Sequence, residues 1–580
     1  MINKNNDYNK RILIATILST VLIISWIKYY ARKTLPEAKQ FEEMQELKKK
    51  EREKILDEKA KKIKEEKELN KNNDNQDTKK STLDSQNEVK LKIETEKLSG
   101  SINLRGLVLN NLVLKDYKAS LNSENNVQLL DSQNSNNPYF VTFSWESENK
   151  NIDLPNSNTV WKADSDVLKI NNPVTLTYTN KQNIVFQVIV SIDENYMFTF
   201  EQKVKNNSNN ALSFNVLNKI YKNSITNKRK SVSAYEGFIS SFGEQIEEIK
   251  FSKLKKKREF TFDNGFNWAG FTDTYWLVAM ASYKKQNKLF TATTDYLDNN
   301  YIINIKGNTN IVSPEQTITT STLLFAGPKI LSLLDNYAFQ YDLPLFDRAL
   351  DFGWFYFLTK PIYMLLKVFN NFFQNFGISI LFLTLVIKLI MYPFTKKSYI
   401  SMARMKQLQP KMDAIKARYS DDKMKMNKEL VELYNKEKIS PLSGCLPMLV
   451  QIPVFFSLYK VLVISIDMRQ APFIGYIKDL SVKDPTTIWN LFGLLPFQTN
   501  FLQIGLLPCL MSLTMWIQQS MTNQSSSNDE VQKATKWMPI IFLIIFAGMP
   551  AGLLIYWTFS NILTILQQYY LEKTMKNIKK

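Results

Sequence analysis

Histidine is absent from this 580-residue chain. Its absence excludes Ser-His-Asp and Cys-His catalysis, zinc sites of the HExxH type and every other mechanism that needs an imidazole. Cysteine is nearly absent as well, since only Cys445 and Cys509 occur, both within apolar segments. Two cysteines support neither a disulfide framework nor a four-ligand zinc site, so we interpret them as buried structural thiols.

Acidic residues are outnumbered, because 74 Lys and Arg stand against 55 Asp and Glu and give a net charge of +19. The basic residues are spread through linkers and loops, and no nucleic-acid-binding motif accompanies them. Hydrophobicity is also uneven, with a polar amino-terminal half and a very apolar carboxy-terminal third. A chain of this length is expected to form two or more folded units, and a membrane explains its charge better than nucleic acid does.

The amino terminus has the pattern of an uncleaved signal anchor. Lys10 and Arg11 precede the uncharged run Ile12–Ile27, and no small-residue cleavage site follows. Basic residues before an apolar run place the amino terminus in the cytoplasm. We therefore predict a transmembrane helix within residues 1–30 and a charged, largely disordered linker over 31–97.

Residues 98–345 are predicted to form an all-β sandwich outside the cytoplasm. Alternating or β-rich runs such as Val174–Tyr178, Ile184–Ile192 and Tyr196–Val204 are separated by turns rich in Asn, Gly, Pro and Ser. The segment FNWAGFTDTYW, which contains Trp268, is a candidate sugar-contact cluster. Aromatic residues of a sandwich belong more often to the core, and we favour that interpretation.

The rest of the chain is predicted to be an α-helical membrane bundle. With the amino-terminal anchor it gives six spans, and the basic hairpin and tail place both termini in the cytoplasm. The predicted segments are an interfacial amphipathic helix at 346–375, a transmembrane helix at 376–395, a basic cytoplasmic hairpin at 396–438, a transmembrane helix at 439–466, an outward-facing loop at 467–500, a transmembrane helix at 501–521, a cytoplasmic loop at 522–536, two short transmembrane helices within 537–571 and a basic tail at 572–580.

Lys388 is the one charged residue in Phe376–Thr395. A cation at mid-membrane costs about 2.5–3.5 kcal/mol on insertion scales, so such residues usually face a cavity or a partner. The alternative is that its long side chain reaches the membrane surface. Other polar side chains in the apolar helices are expected to face the same interior. They are Thr384, Gln451, Ser457, Gln518, Gln519, Ser560, Asn561, Gln567 and Gln568.

The loop after the Lys388 helix is strongly basic, with twelve Lys and Arg against six Asp and Glu between Lys396 and Lys438. It is predicted to form two helices that separate near Tyr419. Met and Leu residues at helical spacing along the first helix either pack against the second helix, which we favour, or form an adaptable docking surface. Candidate contacts to a cytoplasmic partner are Arg404, Lys406, Lys411, Lys416 and Arg418.

Four segments of the carboxy-terminal region resemble the YidC/Oxa family of membrane protein insertases. They are IMYPFTKKSYISMARMKQLQPKM, SPLSGCLPMLVQIPVFFSLY, RQAPF with the following DLSVKDP, and MPAGLLIYWTFSNILTILQQ, in the order typical of the family. The resemblance covers residues from about 354 to 571. The anchor and the β domain before it are similar to the Gram-negative form, whose β domain is a supersandwich related to sugar mutarotases.

The resemblance implies a five-helix core with a hydrophilic groove that is open to the cytoplasm and to lipid, with no cofactor and no enzymatic activity. Lys388 stands where bacterial members have a groove arginine, and Thr384 matches a groove threonine. Tyr556 and Trp557 match substrate-contacting aromatic residues at the start of the last helix. The expected groove residues are thus Lys388, Thr384, Gln451, Gln518, Tyr556 and Trp557.

The implied function is insertion and folding of nascent proteins in the bacterial inner membrane, with the β domain in the periplasm. The implied partners are nascent membrane proteins, the ribosome, signal recognition machinery, a Sec translocase and the phospholipid bilayer. Two other functions stay open. A transporter or channel would use Lys388, but no internal repeat supports it. An envelope carbohydrate enzyme on the β domain would need a pair of carboxylates in a cleft.

Overall fold

The structure is a computed structural model. It describes residues 89–223, 235–256, 259–262, 266–283, 291–297, 299–353, 355–437, 446–493, 495, 503–522 and 529–578. The predicted anchor at 1–30, nearly all of the linker at 31–97 and Cys445 lie outside the described residues. What is described is a β domain followed by a helical region.

The strands of the β domain are short, as the sequence predicts. In chain order they are β1 Lys90–Glu94, β2 Leu98–Asn103, β3 Val108–Lys118, β4 Asn126–Gln128, β5 Tyr139–Glu146, β6 Lys162–Ala163, β7 Val167–Leu168, β8 Val174–Thr179, β9 Ile184–Ile192, β10 Met197–Asn206, β11 Leu212–Asn223, β12 Gly237–Phe242, β13 Gln245–Lys250, β14 Glu259–Phe262, β15 Phe266–Thr272, β16 Trp276–Ser282, β17 Thr291–Leu297, β18 Asn300–Lys306, β19 Asn310–Val312 and β20 Thr317–Pro328.

Two sheets face each other across one hydrophobic core. The first has the order β14-β17-β18-β11-β5-β3-β2-β1-β7, with β19 on β11 and β4 on β3, and the second has the order β13-β12-β15-β16-β20-β10-β9-β8-β6. Phe143 of the first sheet stacks on Phe200 of the second, with ring centroids 3.7 Å apart. The alternation in Ile184–Ile192 buries every second side chain, which is how a strand with one face on a core behaves. The predicted sandwich is confirmed.

The sandwich begins earlier than predicted. The boundary at residue 98 is wrong, because Lys90–Glu94 is already a strand that pairs with β2 and β7. Leu91 and Ile93 are fully buried in the core. Their alternation is only two apolar residues long and sits among lysines and glutamates, so the charged composition of the preceding linker masks it.

Trp268 belongs to the core, as favoured over the sugar-contact interpretation. Its side chain is fully buried, its indole Nε1 donates to the carbonyl of Pro344 at 3.0 Å, and its ring meets Phe346 edge to face. The nearby Asp273 carboxylate accepts the backbone N–H of Tyr275 at 3.1 Å and so shapes the turn before β16. The FNWAGFTDTYW segment therefore packs against Pro344 and Phe346, in the chain that follows the last strand of the sandwich.

Lys329 is a buried cation at the end of β20. Its Nζ donates to Thr272 Oγ1 at 3.0 Å and to the carbonyl of Asp273 at 2.5 Å. Burial lowers the pKa of Lys329 to about 8, although the Asp273 carboxylate and other nearby acids oppose the shift. Removal of water from an ammonium disfavours its charged form, which explains the direction.

Stability is therefore expected to rise between about pH 8 and pH 10.5, since over that range the unfolded chain holds a proton on Lys329 that the native protein has released. Lys329→Met removes this titration. From about pH 7.5 to pH 9.5, wild type should gain about 2 kcal/mol of unfolding free energy relative to the variant. Denaturant unfolding of the full chain followed by tryptophan fluorescence measures this gain. If the difference in unfolding free energy between wild type and variant does not change with pH, Lys329 does not have the lowered pKa.

The helical region follows the sandwich without a break in the described chain apart from residue 354. A short helix, α1 Phe251–Lys256, lies within the β domain. The others are α2 Leu331–Gln340, α3 Tyr356–Phe373, α4 Phe376–Arg418, α5 Lys423–Lys436, α6 Leu446–Ile464, α7 Leu506–Thr522, α8 Asp529–Phe546 and α9 Ala551–Ile578.

One described helix is long and apolar enough to cross a membrane, over Phe376–Met405, and shorter apolar stretches occupy Gln451–Ile464 and Trp537–Phe546. Three predicted boundaries change. The helix predicted at 376–395 continues without interruption to Arg418, so the first helix of the basic hairpin is its extension. The cytoplasmic loop at 522–536 contains the start of α8, and α9 runs through most of the tail predicted at 572–580.

The basic hairpin closes on a small apolar cluster. Leu408 and Met412 of α4 are buried against Leu430 and Leu433 of α5. The chain turns between Arg418 and Lys423, where Tyr419 was expected to mark the break. Helix packing, the favoured use of this stripe, is confirmed for these side chains.

Polar contacts hold the β domain against the helical region. The Arg469 guanidinium, in the loop after α6, donates to the carbonyls of Lys118 at 2.6 Å and Ala119 at 3.0 Å. The Lys460 ammonium of α6 pairs with Asp351 at 2.6 Å. The domain is therefore held to α6 and to the loop that follows it by defined polar contacts.

Candidate functional site: a polar stripe between helices

The polar face of α9 is the centre of the candidate site. Ser560, Asn561, Thr564 and Gln568 are all buried, and their spacing of one, four and eight residues places them on one side of a helix. The remaining surface of α9 is largely apolar. Buried polar groups in an apolar bundle require hydrogen-bond partners. The neighbouring helices are therefore expected to place polar side chains against this stripe.

Lys388 of α4 meets this stripe. Its Nζ donates to Thr564 Oγ1 at 2.9 Å, while the Thr564 hydroxyl donates to the carbonyl of Ser560 at 2.8 Å. The Lys388 side chain is partly buried, and within the described part of the chain no carboxylate forms an ion pair with it. The ammonium therefore has one neutral partner and capacity for further acceptors.

Thr384 lies one turn before Lys388, and its side chain is buried. Its hydroxyl donates to the carbonyl of Ile380 within its own helix at 2.6 Å. This backbone hydrogen bond satisfies the hydroxyl proton and leaves an oxygen lone pair free to accept. The hydrogen bond donated by Thr384 thus lies within α4, one turn from Lys388.

Gln451 and Tyr556 form a second polar contact, in which Gln451 Nε2 of α6 donates to the Tyr556 hydroxyl of α9. Tyr556 precedes Thr564 by eight residues, about 12 Å along the helix. The two contacts are therefore separate points on α9, one nearer its start and one nearer its middle. Tyr556 is buried, so in this arrangement its ring is covered by protein.

Trp557 belongs to an aromatic cluster. Its ring lies 4.7 Å from that of Phe455 and 5.0 Å from that of Phe546, measured between centroids. Phe455 is on α6 and Phe546 ends α8, so Trp557 joins three helices. The sequence pairs Tyr556 and Trp557, but consecutive helical residues point in different directions, and the structure gives them different partners.

Gln518 is partly buried near the end of α7. One turn earlier on α7, Thr514 Oγ1 accepts a hydrogen bond from Asn561 Nδ2 of the stripe at 3.1 Å. The predicted groove residues thus divide into Lys388 with its neighbour Thr384, the Gln451–Tyr556 pair, Trp557 in its aromatic cluster, and Gln518. Thr564 was missed, although the polar spacing from Ser560 to Gln568 was available in the sequence.

The loop between α6 and α7 is hydrogen-bonded to the start of α9. The N–H groups of Ala551 and Gly552, which begin α9, donate to the carbonyls of Val482 at 2.7 Å and Leu480 at 3.0 Å. Two of the otherwise unpaired donors at the start of a helix are thereby satisfied. The stripe lies further along α9 than these hydrogen bonds.

Asp484 fastens the same loop to α7. Its buried carboxylate accepts the N–H of Leu507 at 2.7 Å and both the N–H and the hydroxyl of Thr486, at 2.9 and 2.7 Å. Tyr476 donates its hydroxyl at 3.2 Å, and burial, with the Asp484 charge beside it, raises the pKa of Tyr476 to about 12. A Cβ on Gly505 would lie 2.5 Å from the Asp484 carboxyl carbon, so only glycine permits this approach.

The predicted partner-contact residues of the basic hairpin all lie on the extension of α4. Arg404, Lys411 and Arg418 are exposed and Lys416 is partly exposed, while the Lys406 side chain lies outside what the structure describes. Lys411 pairs with Glu437 of the loop after α5 at 3.0 Å. Among the described residues no group of three or more His, Cys, Asp or Glu side chains could hold a metal ion.

Comparison with known proteins gives a consistent result along the chain. Residues 368–579 match the family described as 60Kd inner membrane protein, and residues 90–365 match the YidC periplasmic domain. The membrane protein insertase YidC of Rickettsia felis is 44% identical over 495 residues, which cover 83% of this chain and 87% of the relative. That of Rickettsia prowazekii is 44% identical over 493 residues, with the same two coverages.

Solved structures give weaker likenesses. An active YidC insertase crystal structure with the first transmembrane domain resolved is 18% identical, covers 83% of this chain and 93% of its own, and superposes with a TM-score of 0.35. A galactose mutarotase related enzyme from Lactobacillus acidophilus covers 41% of this chain and 97% of its own, at 10% identity and a TM-score of 0.30.

Proposed function

The chain belongs to the YidC family of membrane protein insertases, and on that premise we propose that it inserts nascent proteins into the bacterial inner membrane and assists their folding. The β domain is the family's periplasmic domain and the helical region is its membrane part. The observation that carries the mechanism is the contact of Lys388 with the buried polar stripe of α9.

The proposed path has no covalent step. The apolar segment of a client slides along the apolar faces of α6 and α8, while its short polar flank enters the space beside Lys388 and Thr564. Polar side chains and water there reduce the cost of removing that flank from bulk water. Lys388 attracts an acidic flank, and the client then leaves sideways into lipid.

The proposed topology has six spans and cytoplasmic termini. The long α4 supports one of these spans. The apolar stretches of α6 and α8, the low charge of α7 and the length of α9 are consistent with the others. The exposed bases Arg404 and Arg418 extend the positive charge of α4 beyond the bilayer, where the ribosome and signal recognition machinery would meet it. A Sec translocase is the further proposed partner.

Insertion by the purified protein tests this proposal. Proteoliposomes that contain it should protect the translocated flank of a single-span client from added protease several-fold better than protein-free liposomes of the same lipids. Ribosome-bound clients whose apolar segment is replaced by a polar one serve as the control and should stay unprotected. Equal protection in the presence and absence of the protein would overturn the proposed function.

A further inference from the structure

The segment Ile488–Gly493, IWNLFG, lies between α6 and α7 and displays apolar side chains at its surface. We refer to it as the apolar tip. Trp489, Leu491 and Phe492 are 45%, 54% and 40% exposed. No charged residue occurs between Asp484 and Asp529. A loop outside the membrane usually carries charge, so an uncharged tip of this composition requires an apolar partner.

The base of the tip is held by hydrogen bonds to the start of α7. The Asp484 carboxylate and the Thr486 hydroxyl accept the N–H groups of Leu507 and Leu506, the first residues of α7, at 2.7 and 2.9 Å. Ile488 N–H donates to the carbonyl of Ile504 at 2.8 Å. Hydrogen bonds from the residues just before the tip thus hold it beside the first turn of α7.

The backbone of the tip is strained at two of its exposed residues. Leu491 and Phe492 have φ values of 50° and 59°, a left-handed conformation that disfavours leucine and phenylalanine. The N–H of Phe492 donates to the carbonyl of Thr487 at 2.8 Å, which closes the turn. Strained residues persist where interactions with the surroundings offset the strain. Water around two exposed apolar side chains provides no such interaction.

We propose that the apolar tip inserts into the outer leaflet of the bilayer and anchors the loop between α6 and α7 there. We assign lipid as the occupant because the tip is hydrogen-bonded beside the start of α7, a helix that itself carries exposed apolar side chains. These side chains are Leu510, Leu513, Trp516 and Ile517. Trp489 is of the residue type enriched at the boundary between headgroups and acyl chains. The inference rests on the proposed membrane arrangement of the helices.

Spin labels on single cysteines in the full chain, reconstituted in phosphatidylethanolamine–phosphatidylglycerol liposomes, test this placement. With Cys445 and Cys509 replaced by serine, labels are introduced by Phe492→Cys and, as a second tip position, Trp489→Cys. Lys478→Cys labels an exposed polar site of the same loop. Leu389→Cys labels the exposed apolar face in the middle of α4 and reports on the membrane arrangement itself.

Labels at 489 and 492 are expected to collide several-fold more often with dissolved oxygen than with a water-soluble nickel chelate, as the label at 389 should, while the label at 478 should favour the chelate. Tip labels that behave like the one at 478, with the one at 389 in lipid, would overturn the anchor and leave the insertase proposal intact. Tip labels shielded from both reagents would mean protein contact and would also overturn it. A water-exposed label at 389 would instead refute the membrane arrangement.

Discussion

Lys388→Ala is expected to reduce the insertion rate of clients with acidic translocated flanks by about tenfold. Two unit charges about 8 Å apart attract by about 2 kcal/mol at an effective dielectric constant of about 20, which corresponds to about thirtyfold in rate. Water in the proposed groove would screen part of this attraction. The variant also leaves Thr564 without the ammonium that donates to it. Initial rates of protease protection in proteoliposomes measure the effect.

Matched variants separate charge from structure. Lys388→Arg keeps the charge and should retain most of the activity. Lys396→Ala removes an exposed charge eight residues further along α4 and should leave insertion unchanged. A client with a neutral flank should be inserted at nearly the same rate by wild type and Lys388→Ala. Equal losses for acidic and neutral clients would show that Lys388 supports the bundle and does not attract the flank.

Asp484→Ala is expected to destabilise the helical region by about 4 kcal/mol. The buried carboxylate accepts two backbone N–H groups and two hydroxyls, and each buried donor left without a partner costs about 1–3 kcal/mol. The effect should appear as a lower midpoint of thermal unfolding in detergent micelles. It should also appear as faster amide exchange at Leu507, where the lost hydrogen bond caps α7.

Asp422→Ala is the appropriate comparison. Asp422 also caps a helix, since its side chain accepts the N–H of Lys425 at the start of α5, but it is exposed. An exposed cap contributes about 1 kcal/mol, so this variant should lose about a quarter as much. Similar losses in the two variants would mean that burial adds nothing at Asp484 and that the loop is held elsewhere.

The sandwich was predictable where alternation was long enough to read. The strand at Ile184–Ile192 has nine residues with every second one buried, whereas Lys90–Glu94 has two apolar residues among charges. The end of the Lys388 helix was misplaced for a different reason. Pro393 and the sudden increase in lysine after Thr395 are typical of a helix end, yet the helix accommodates both Pro393 and Pro410.

The sequence indicated candidate residues for the site but not how they pair. Lys388 stood out as a lone lysine in an apolar helix, whereas Tyr556 was named only because the chain resembles a known family. Their partners depend on how the helices rotate against each other, which sequence periodicity does not specify. Thr564 shows the difficulty, because a threonine in a helix usually bonds to its own backbone. Here its hydroxyl does so with Ser560 and accepts Lys388 at the same time.

The uninterrupted α4 has a mechanical consequence. Its 43 residues measure about 65 Å, roughly twice the thickness of the hydrocarbon core. Because α5 packs on α4 at Leu408 and Met412, we expect the long helix to tilt as one body. A force applied near Arg418 by a bound particle is then expected to move Lys388, which lies about 45 Å away along the helix. Docking of a particle outside the bilayer would then change the position of Lys388 in the proposed groove without a direct contact.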